Sequence, residues 1–418
     1  MHSSSHPKQF PVQFPTREDG LHILIRISLN NLMTVVRRRC CTYFLYLKLY
    51  TFTCYCITSN YILPTMPHRE EVEIEFTPDL YPPFPEDIPT VELQTITLSK
   101  LLEGDAAEQD RVFDACVGRG FFYLALDGCE TGETILNGAD QIALTGERIF
   151  KLPLEEKMQY KMAKSLFGYK YAGATVTDKS GTPDTAEFFN VGKNDMIVPE
   201  DRMGRPWPSA VLDVKPLFDS YVKSAHLVGM TVLAIIADKL GVDPSEFASR
   251  HRIEEPSGDH VRITRGPPRA TDEMPEIQTP SHTDFGTITI LMNWLGGLQV
   301  WSRSSRKAQV GELEPDVPGE WLWVRPKGGC AIINLGDAAV KFTNGVVCSG
   351  RHRVIPSPGV QGRWPRYSVV YFVRPEDQCL MKRLKGKNIP DSREEDEELT
   401  AREWIFRQSM ALGTRFDK

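Results

Sequence analysis

The chain has 418 residues, 41 % of them hydrophobic and 25 % charged, with a formal net charge of −6. These values describe a globular protein long enough for one elaborated domain or two, and they exclude collagen-like, disordered and many-spanning membrane classes. The acidic balance argues against a nucleic-acid partner, and the nine cysteines form no Cys-x-x-Cys pair, so a reduced, cytoplasmic protein without a disulfide scaffold or zinc ribbon is expected.

Residues 1–65 stand apart from the rest. No acidic residue occurs between Gly20 and Pro67, and "VVRRRCCTYFLYLKLYTFTCYCITSNYIL" crowds aromatics, threonines and cysteines around Lys48. Three readings stay open. Residues 41–63 approach the roughly 20-residue length of a membrane span, with Arg37, Arg38 and Arg39 as flanking charge, although Lys48 and the many hydroxyls make it a poor span. A targeting segment or an over-long reading frame starting properly at Met66 would equally explain the break. The extension is expected to lie outside the fold, with no membrane partner unless 41–63 is an anchor.

Several stretches precede the strand-rich half. "FTPDLYPPFPEDIPTVEL" (76–93) is extended and proline-rich. "LSKLLEGDAAEQDRVFDACVGRGFFYLALDG" carries Leu102, Val112, Phe113 and Cys116 at helical spacing, breaks at Gly118 and Gly120, and resumes as the strand "FFYLAL". Helices are predicted around 131–151 and 153–163, with Pro153 in a first turn. Residues 166–193 lack periodicity and suit a loop or hairpin at a functional site. A long helix over about 213–240 presents Leu217, Tyr221, Leu227, Val232, Ile235 and Ile236 to the core.

From residue 260 onward short strands alternate with Gly/Pro turns: "HVRITR", "GTITILMNW", "GLQVWS", "EWLWVRP", "CAIINL", "RHRVI" and "RYSVVYFVRP". That rhythm predicts a sandwich, jelly roll or barrel. A charged insertion (302–319) separates two of the strands, and "EEDEELTAREWIFRQSM" returns to helix with its acids leading. No internal repeat is present.

Chemistry concentrates in this half. On a strand, residues two apart share a face, so His282 and Asp284 can aim an imidazole and a carboxylate at one point, and His352 heads another strand. Two histidines and one carboxylate form the facial triad of non-haem Fe(II) oxygenases, which leaves positions for a chelating co-substrate and O2. Arg366 and Ser368, again two apart, suit a socket for a distal carboxylate. Each piece alone is weak, since a His-x-Asp on a strand is more often a surface pair; their order within one run of strands gives them weight.

From about residue 88 to 378 the chain resembles the isopenicillin N synthase-like family of Fe(II)/2-oxoglutarate-dependent dioxygenases. The resemblance rests on "IPTVEL", "ACVGRGFFYLALDG", "HTDFGTITIL", "GLQVW", "GDAAVKFTNG", "HRV" and "RYSVVYF". It implies a mixed α/β fold, a double-stranded β-helix (jelly-roll) core with flanking helices and a mixed α/β N-terminal region. The implied organisation is an N-terminal dioxygenase region over 66–205, mostly helical with short strands, a jelly-roll domain over 206–378 and a C-terminal helical segment over 379–418. It makes His282, Asp284 and His352 the iron ligands and the catalytic residues, with Arg366 and Ser368 binding the 2-oxoglutarate carboxylate and O2 as the oxidant. The implied activity is an oxidoreductase that hydroxylates, desaturates or cyclises a small organic substrate in specialised metabolism. The family's Asn-Tyr-Tyr-Pro-Pro-like stretch is here "RITRGPP", leaving open whether Arg265 replaces a second oxo-acid anchor.

Other readings compete. Isopenicillin N synthase itself and the aminocyclopropane carboxylate oxidases keep the Arg-x-Ser pair without using 2-oxoglutarate, a zinc hydrolase could use the same ligand types, and a non-catalytic jelly-roll binding protein could retain the motif. No phosphate loop, dinucleotide fingerprint or Gly-x-Ser-x-Gly elbow is present. Tyr169, Tyr171 and Phe188 are candidates for the substrate mouth, and Phe285 and Asn293 for substrate contacts near the ligands. His68, His226, His251 and His260 lack ligand partners and are expected to be structural or solvated; Trp301, Trp321 and Trp323 are expected in the core.

Overall fold

The computed structural model describes residues 35–38, 41–48 and 51–54, and then 76–162, 165–177, 181–269, 277–303, 319–391 and 397–411. His68, most of the 1–65 extension, most of the 302–319 insertion and the acids at 394–396 lie outside the described residues. The chain divides into two compact units, Met1–Val72 and Glu73–Lys418. In the first, β1 (Val35–Arg38), β2 (Cys41–Lys48) and β3 (Thr51–Cys54) form an antiparallel sheet in that order. Over 41–54 the described backbone is therefore strand and not a spanning helix.

The second unit begins with β4 (Thr95–Thr97), α1 (Leu98–Leu102), α2 (Ala106–Gly118) and β5 (Phe121–Ala125). Asp105 caps α2 by accepting from the Glu108 N–H at 2.9 Å, the N-cap arrangement that satisfies an orphan donor. Then come α3 (Glu130–Phe150), α4 (Leu154–Met158), β6 (Gly168–Lys170), β7 (Glu187–Gly192), α5 (Lys193–Met196), α6 (Ser209–Leu212), α7 (Lys215–Leu240) and α8 (Pro244–Ala248). The helix predicted over 153–163 stops at Met158, because Tyr160 and Met162 exchange backbone hydrogen bonds with Tyr169 of β6. Pro153 is the N-cap of α4 and does not sit inside its first turn.

The strand-rich half comprises β8 (His260–Gly266), β9 (Thr279–His282), β10 (Ile288–Asn293), β11 (Leu298–Arg303), β12 (Gly319–Trp323), β13 (Cys330–Leu335), α9 (Asp337–Phe342), β14 (His352–Val354), β15 (Arg366–Val373) and finally α10 (Ala401–Ala411). The predicted start of the last helix in its acidic run is corrected by a capping box: Thr400 Oγ1 accepts from the Glu403 N–H, and the Glu403 carboxylate accepts from the Thr400 N–H at 2.9 Å.

Two sheets make the core. The larger runs β4-β5-β13-β10-β15-β8-β7-β6, antiparallel except for β4–β5, and the smaller runs β12-β11-β14-β9. Period-two alternation divides the larger sheet. Its outer face, with Ile263, Ile290, Val369, Tyr371 and Val373, packs on α3 and α7; its inner face, with Tyr123, Leu291, Ile332, Val370 and Phe372, meets Leu298 and Val300 of the smaller sheet. Two layers of strands with helices on one side match the expected jelly roll with flanking helices. Among the described residues only α7 is long and apolar enough to cross a membrane, and its Tyr221, Val228, Val232 and Ile236 are fully buried in this core. Leu227, expected on that buried face, is exposed. Trp301, Trp321 and Trp323 are half-buried, outside the buried core; Trp301 and Trp321 stack edge-on at 5.1 Å, in register across β11 and β12.

Candidate metal centre

His282 closes β9 and His352 opens β14, and the two are direct partners in the smaller sheet. Their ring centroids are 4.3 Å apart. Each Nδ1 faces a carbonyl two residues upstream, Pro280 at 2.8 Å and Gly350 at 3.0 Å. A carbonyl only accepts, so Nδ1 carries the proton and Nε2 presents its lone pair. Asp284 does not follow the strand alternation that the His-x-Asp spacing suggests, for β9 ends at His282 and Asp284 lies in the turn before β10. Its carboxylate is placed by neighbours instead: Oδ2 accepts from Thr289 Oγ1 at 2.7 Å and Asn334 Nδ2 at 2.6 Å. Oδ1 is left 3.7 Å from His282 Nε2 and 3.9 Å from His352 Nε2.

The three donor atoms lie within 4.8 Å of one another, and no other such cluster occurs among the described residues. Burial drives the Asp284 carboxyl up, but the two neighbouring imidazoles, which gain a proton more readily beside the carboxylate, and the Asn334 amide outweigh it and hold the group well below the usual carboxylate range. Burial, then His282, lowers His352 to about 4, so it is neutral at physiological pH. Lone pairs of two imidazoles and a carboxylate oxygen thus converge, with the remaining donors and acceptors of these groups spent elsewhere. A divalent cation turns that repulsion into coordination, and the donor set suits Fe(II) or Zn(II).

Asp337, at the start of α9, ties the surroundings together. It accepts from Thr283 Oγ1 at 2.9 Å and from Ser349 Oγ at 2.6 Å, and its backbone N–H donates to the Asp284 carbonyl at 2.7 Å. It thereby anchors the residue between the first two candidate ligands and the loop leading to the third. Gly336 permits this closeness, since a Cβ there would stand 2.2 Å from the Gly286 carbonyl oxygen. No residue pattern singles out Thr289, Asn334 or Asp337 as supports, although "LGDAAVKFTNG" holds Asp337.

Further along the inner face, Arg366 is 2 % exposed. Nε donates to the Gly296 carbonyl at 2.8 Å and Nη1 to Ser368 Oγ at 3.4 Å. Burial lowers it to about 10, still a cation, and among the described residues no carboxylate pairs with it. Gly297, at φ +120°, makes the room: a Cβ there would lie 2.7 Å from Arg366 Cδ. Between Arg366 and the histidine pair the same face is apolar, with Leu291, Val370 and Ile332.

The other candidates are dispersed. Phe188 lies on the inner face, opposite Thr264 of β8 and Lys170 of β6. Tyr169 falls on the outer face and is 2 % exposed, its hydroxyl donating to Glu187 at 2.6 Å, so it is not at a substrate mouth. Tyr171 is exposed, with Lys161 over its ring. Phe285 packs against the main core, while Asn293 pairs with Ser368 across β10–β15 and donates to the Leu295 carbonyl. Arg265 points away from Arg366 and donates to Glu187 at 3.2 Å, so it does not supply the second oxo-acid anchor. His226 lies 3.6 Å from Asp259, and His251 bonds Phe247 and Thr287. His260 is on the inner face, its ring 4.7 Å from Phe372.

Comparison with known proteins agrees with this architecture. Residues 257–375 match the model of the 2OG-Fe(II) oxygenase superfamily, and residues 88–210 match that of the non-haem dioxygenase in morphine synthesis N-terminal region. The chain is 34 % identical over 321 residues to a 2-oxoglutarate-dependent dioxygenase of Aspergillus fumigatus, covering 74 % of this chain and 83 % of that one. A second fungal 2-oxoglutarate-dependent dioxygenase, from Gibberella zeae, is 31 % identical, covering 77 % and 88 %. Among solved structures, a 2OG-Fe(II) oxygenase family protein from Caulobacter crescentus superposes with a TM-score of 0.61 at 26 % identity, covering 77 % of this chain and 99 % of that one. A full-length Neurospora crassa protein solved in complex with alpha-KG shares the fold at a TM-score of 0.60 and 24 % identity, covering 78 % and 98 %. The chain belongs to the 2OG-Fe(II) oxygenase superfamily and is a non-haem Fe(II)- and 2-oxoglutarate-dependent dioxygenase.

Proposed function

We propose that His282, Asp284 and His352 hold the Fe(II), and that Arg366 with Ser368 grips the distal carboxylate of 2-oxoglutarate. The observation that carries this reading is the convergence of two Nε2 lone pairs and one Asp284 oxygen at mutual distances within 4.8 Å, while their other polar atoms are satisfied by protein. Arg366, buried and without a carboxylate partner among the described residues, supports the second half, because an unpaired buried cation is costly until an anion reaches it.

Bound iron supplies O2 activation, coupled to oxidative decarboxylation of 2-oxoglutarate to succinate and CO2, which removes hydrogen from an unactivated C–H bond of the substrate. The chain's residues do the placing. The Pro280 and Gly350 carbonyls fix both imidazoles, Thr289 and Asn334 fix the carboxylate, and the second oxygen of Asp284 is kept from competing for the metal. Leu291, Val370 and Ile332 offer an apolar passage for the co-substrate's methylenes and exclude water there. Arg366, locked by Gly296 and Ser368, sets the co-substrate's orientation. The same reading assigns 66–205 as the N-terminal region, 206–378 as the domain carrying all five residues and 379–418 as the C-terminal segment. It also assigns the protein to the cytoplasm, in keeping with the free thiols of Cys116, Cys129, Cys330 and Cys379 among the described residues.

The test is an anaerobic titration of the full chain with Fe(II) and then 2-oxoglutarate, following the visible charge-transfer band of the chelate. The band should saturate in the wild type, vanish in Asp284→Ala and need at least about a hundredfold more 2-oxoglutarate in Arg366→Ala, the loss of a charge-assisted buried contact. An unaltered midpoint in Arg366→Ala would remove that residue from the socket; an unaltered band in Asp284→Ala would sink the ligand assignment.

A further inference from the structure

The inner face carries a second group of cations that this reading leaves unused. Register across β7, β8 and β15 places Asn190 opposite Arg262, Arg262 opposite Val370, and His260 opposite Phe372. Phe372 is in turn opposite Thr289, which bonds Asp284. Arg262 and Arg374 therefore sit around the ring next to the metal centre, their guanidinium carbons 5.0 and 5.5 Å from its centroid.

Among the described residues neither guanidinium has a carboxylate partner. Half-buried Arg262 sits over Phe188, its guanidinium carbon 3.9 Å from the ring centroid, and donates Nε to Asn190 Oδ1 at 2.9 Å. Arg374 is 5 % exposed, and its Nε and Nη1 are buried without a partner. Asp259 is otherwise engaged, accepting from the Arg374 backbone N–H at 2.7 Å and Tyr371 Oη at 3.2 Å. Among the described residues no carboxylate forms an ion pair with either arginine. Lys170, on the same face, is by contrast neutralised by Asp184. Stacking on a ring attracts a guanidinium but does not satisfy its N–H donors, and the buried unmet donors of Arg374 call for an acceptor.

Charge balance points the same way. Fe(II), Asp284, the 2-oxoglutarate dianion and Arg366 offset one another, which leaves Arg262 and Arg374 as surplus positive charge beside the metal. We propose that Arg262 and Arg374 form the subsite for a carboxylate of the organic substrate, against Phe188 and Phe372, so that the enzyme oxidises an organic acid. This rests on the assignment of the iron and 2-oxoglutarate sites made above.

The experiment uses the full chain with Fe(II) and saturating 2-oxoglutarate under anaerobic conditions, and phenylacetate and phenylacetamide as probes of similar shape and different charge. Equilibrium dialysis should show phenylacetate binding at least tenfold tighter than the amide. Arg262→Met and Arg374→Met should each weaken the acid tenfold or more and leave the amide as it was. The 2-oxoglutarate midpoint from the charge-transfer band should stay within twofold in both, and Arg262→Lys should fall between wild type and Arg262→Met. Equal binding of acid and amide, or no binding of phenylacetate to wild type with a normal band, overturns the proposal without any variant, so a variant that fails to fold does not protect it. A shifted 2-oxoglutarate midpoint also overturns it, by moving the arginines into the co-substrate socket. Failure of the underlying site assignment shows separately, as a wild type with no band.

Discussion

The outer face of the larger sheet and the part of its inner face beside the metal centre treat charge in opposite ways. On the outer face Glu187 collects Lys157 at 2.9 Å, Tyr169 at 2.6 Å and Arg265 at 3.2 Å, so the charges complete one another. On the inner face Lys170 is likewise paired with Asp184, but Arg366, Arg262 and Arg374, nearer the metal centre, have no carboxylate partner among the described residues. Breaking a buried pair within the protein costs stability, whereas a buried charge left unpaired is costly until a ligand completes it. The comparison predicts that outer-face changes cost stability and inner-face changes cost ligands.

The largest effect tests the first half of that rule. Glu187→Gln removes the negative charge facing the Lys157 ammonium and the Arg265 guanidinium and leaves one acceptor oxygen where there were two. Removing one member of a buried ion pair typically costs about 3–5 kcal/mol. Urea unfolding should show a lower midpoint with an unchanged slope, and the 2-oxoglutarate titration of the folded variant should match wild type. A changed co-substrate midpoint with unchanged stability would break the division between the faces.

His251 gives a slightly smaller, pH-gated effect. It sits between α8 and the turn before β10, with Nδ1–H donating to the Phe247 carbonyl at 2.8 Å and Nε2 accepting from Thr287 Oγ1 at 2.7 Å. Burial lowers it to about 4; the Phe247 bond and Asp259 oppose that shift, while His226 and Arg250 add to it. The unfolded chain, with a histidine near 6.5, binds the proton more readily than the folded one. Stability is therefore full above pH 6.5, falls as pH drops from 6.5 to 4, and the loss reaches about 3 kcal/mol at the lower end. Comparing denaturation free energies at pH 7 and pH 4.5 should show this slope in wild type and a shallower one in His251→Gln. Parallel slopes would mean that another group carries the titration.

What could be read in the chain follows from how each feature is encoded. His282, Asp284, His352, Arg366 and Ser368 are spaced within short local motifs, and the strand rhythm after residue 260 is a period-two pattern. Even so, the spacing argument for Asp284 reaches the right neighbourhood by the wrong geometry, since the carboxylate is set by Thr289 and Asn334 from strands that only folding brings near. Arg262, Arg374 and Glu187 are anonymous in sequence, for their meaning lies in which face and which register they occupy. Tyr169 and Phe188 both look like mouth aromatics, yet they fall on opposite faces of the sheet because β6 and β7 pair Tyr169 with Phe189. The end of α4 is equally illegible, being decided by the short strand β6, which pairs with the residues just after Met158.

Asp337 stands between the two classes, and the smallest predicted effect comes from it. It is buried like the outer-face charges and adjoins the metal centre like the inner-face ones, but its partners are two neutral hydroxyls. Burial raises its carboxyl to about 6, with the Ser349 and Thr283 bonds opposing and Asp284 adding to the rise. In Asp337→Asn one oxygen becomes an amide donor, so either Thr283 or Ser349 loses its acceptor and one approach to the ligands loosens. Supports of metal ligands are commonly worth about 10–100-fold in metal affinity, and Asp337 acts through the neighbours of the ligands, which puts the expectation near the tenfold end. Fe(II) titration followed by the 2-oxoglutarate band should show that weakening, and excess Fe(II) should restore turnover, because the residue positions the ligands without touching iron or substrate. Turnover that stays low at saturating Fe(II) would instead place Asp337 in the reaction itself, and an unchanged affinity would mean that Thr289 and Asn334 suffice to hold the centre.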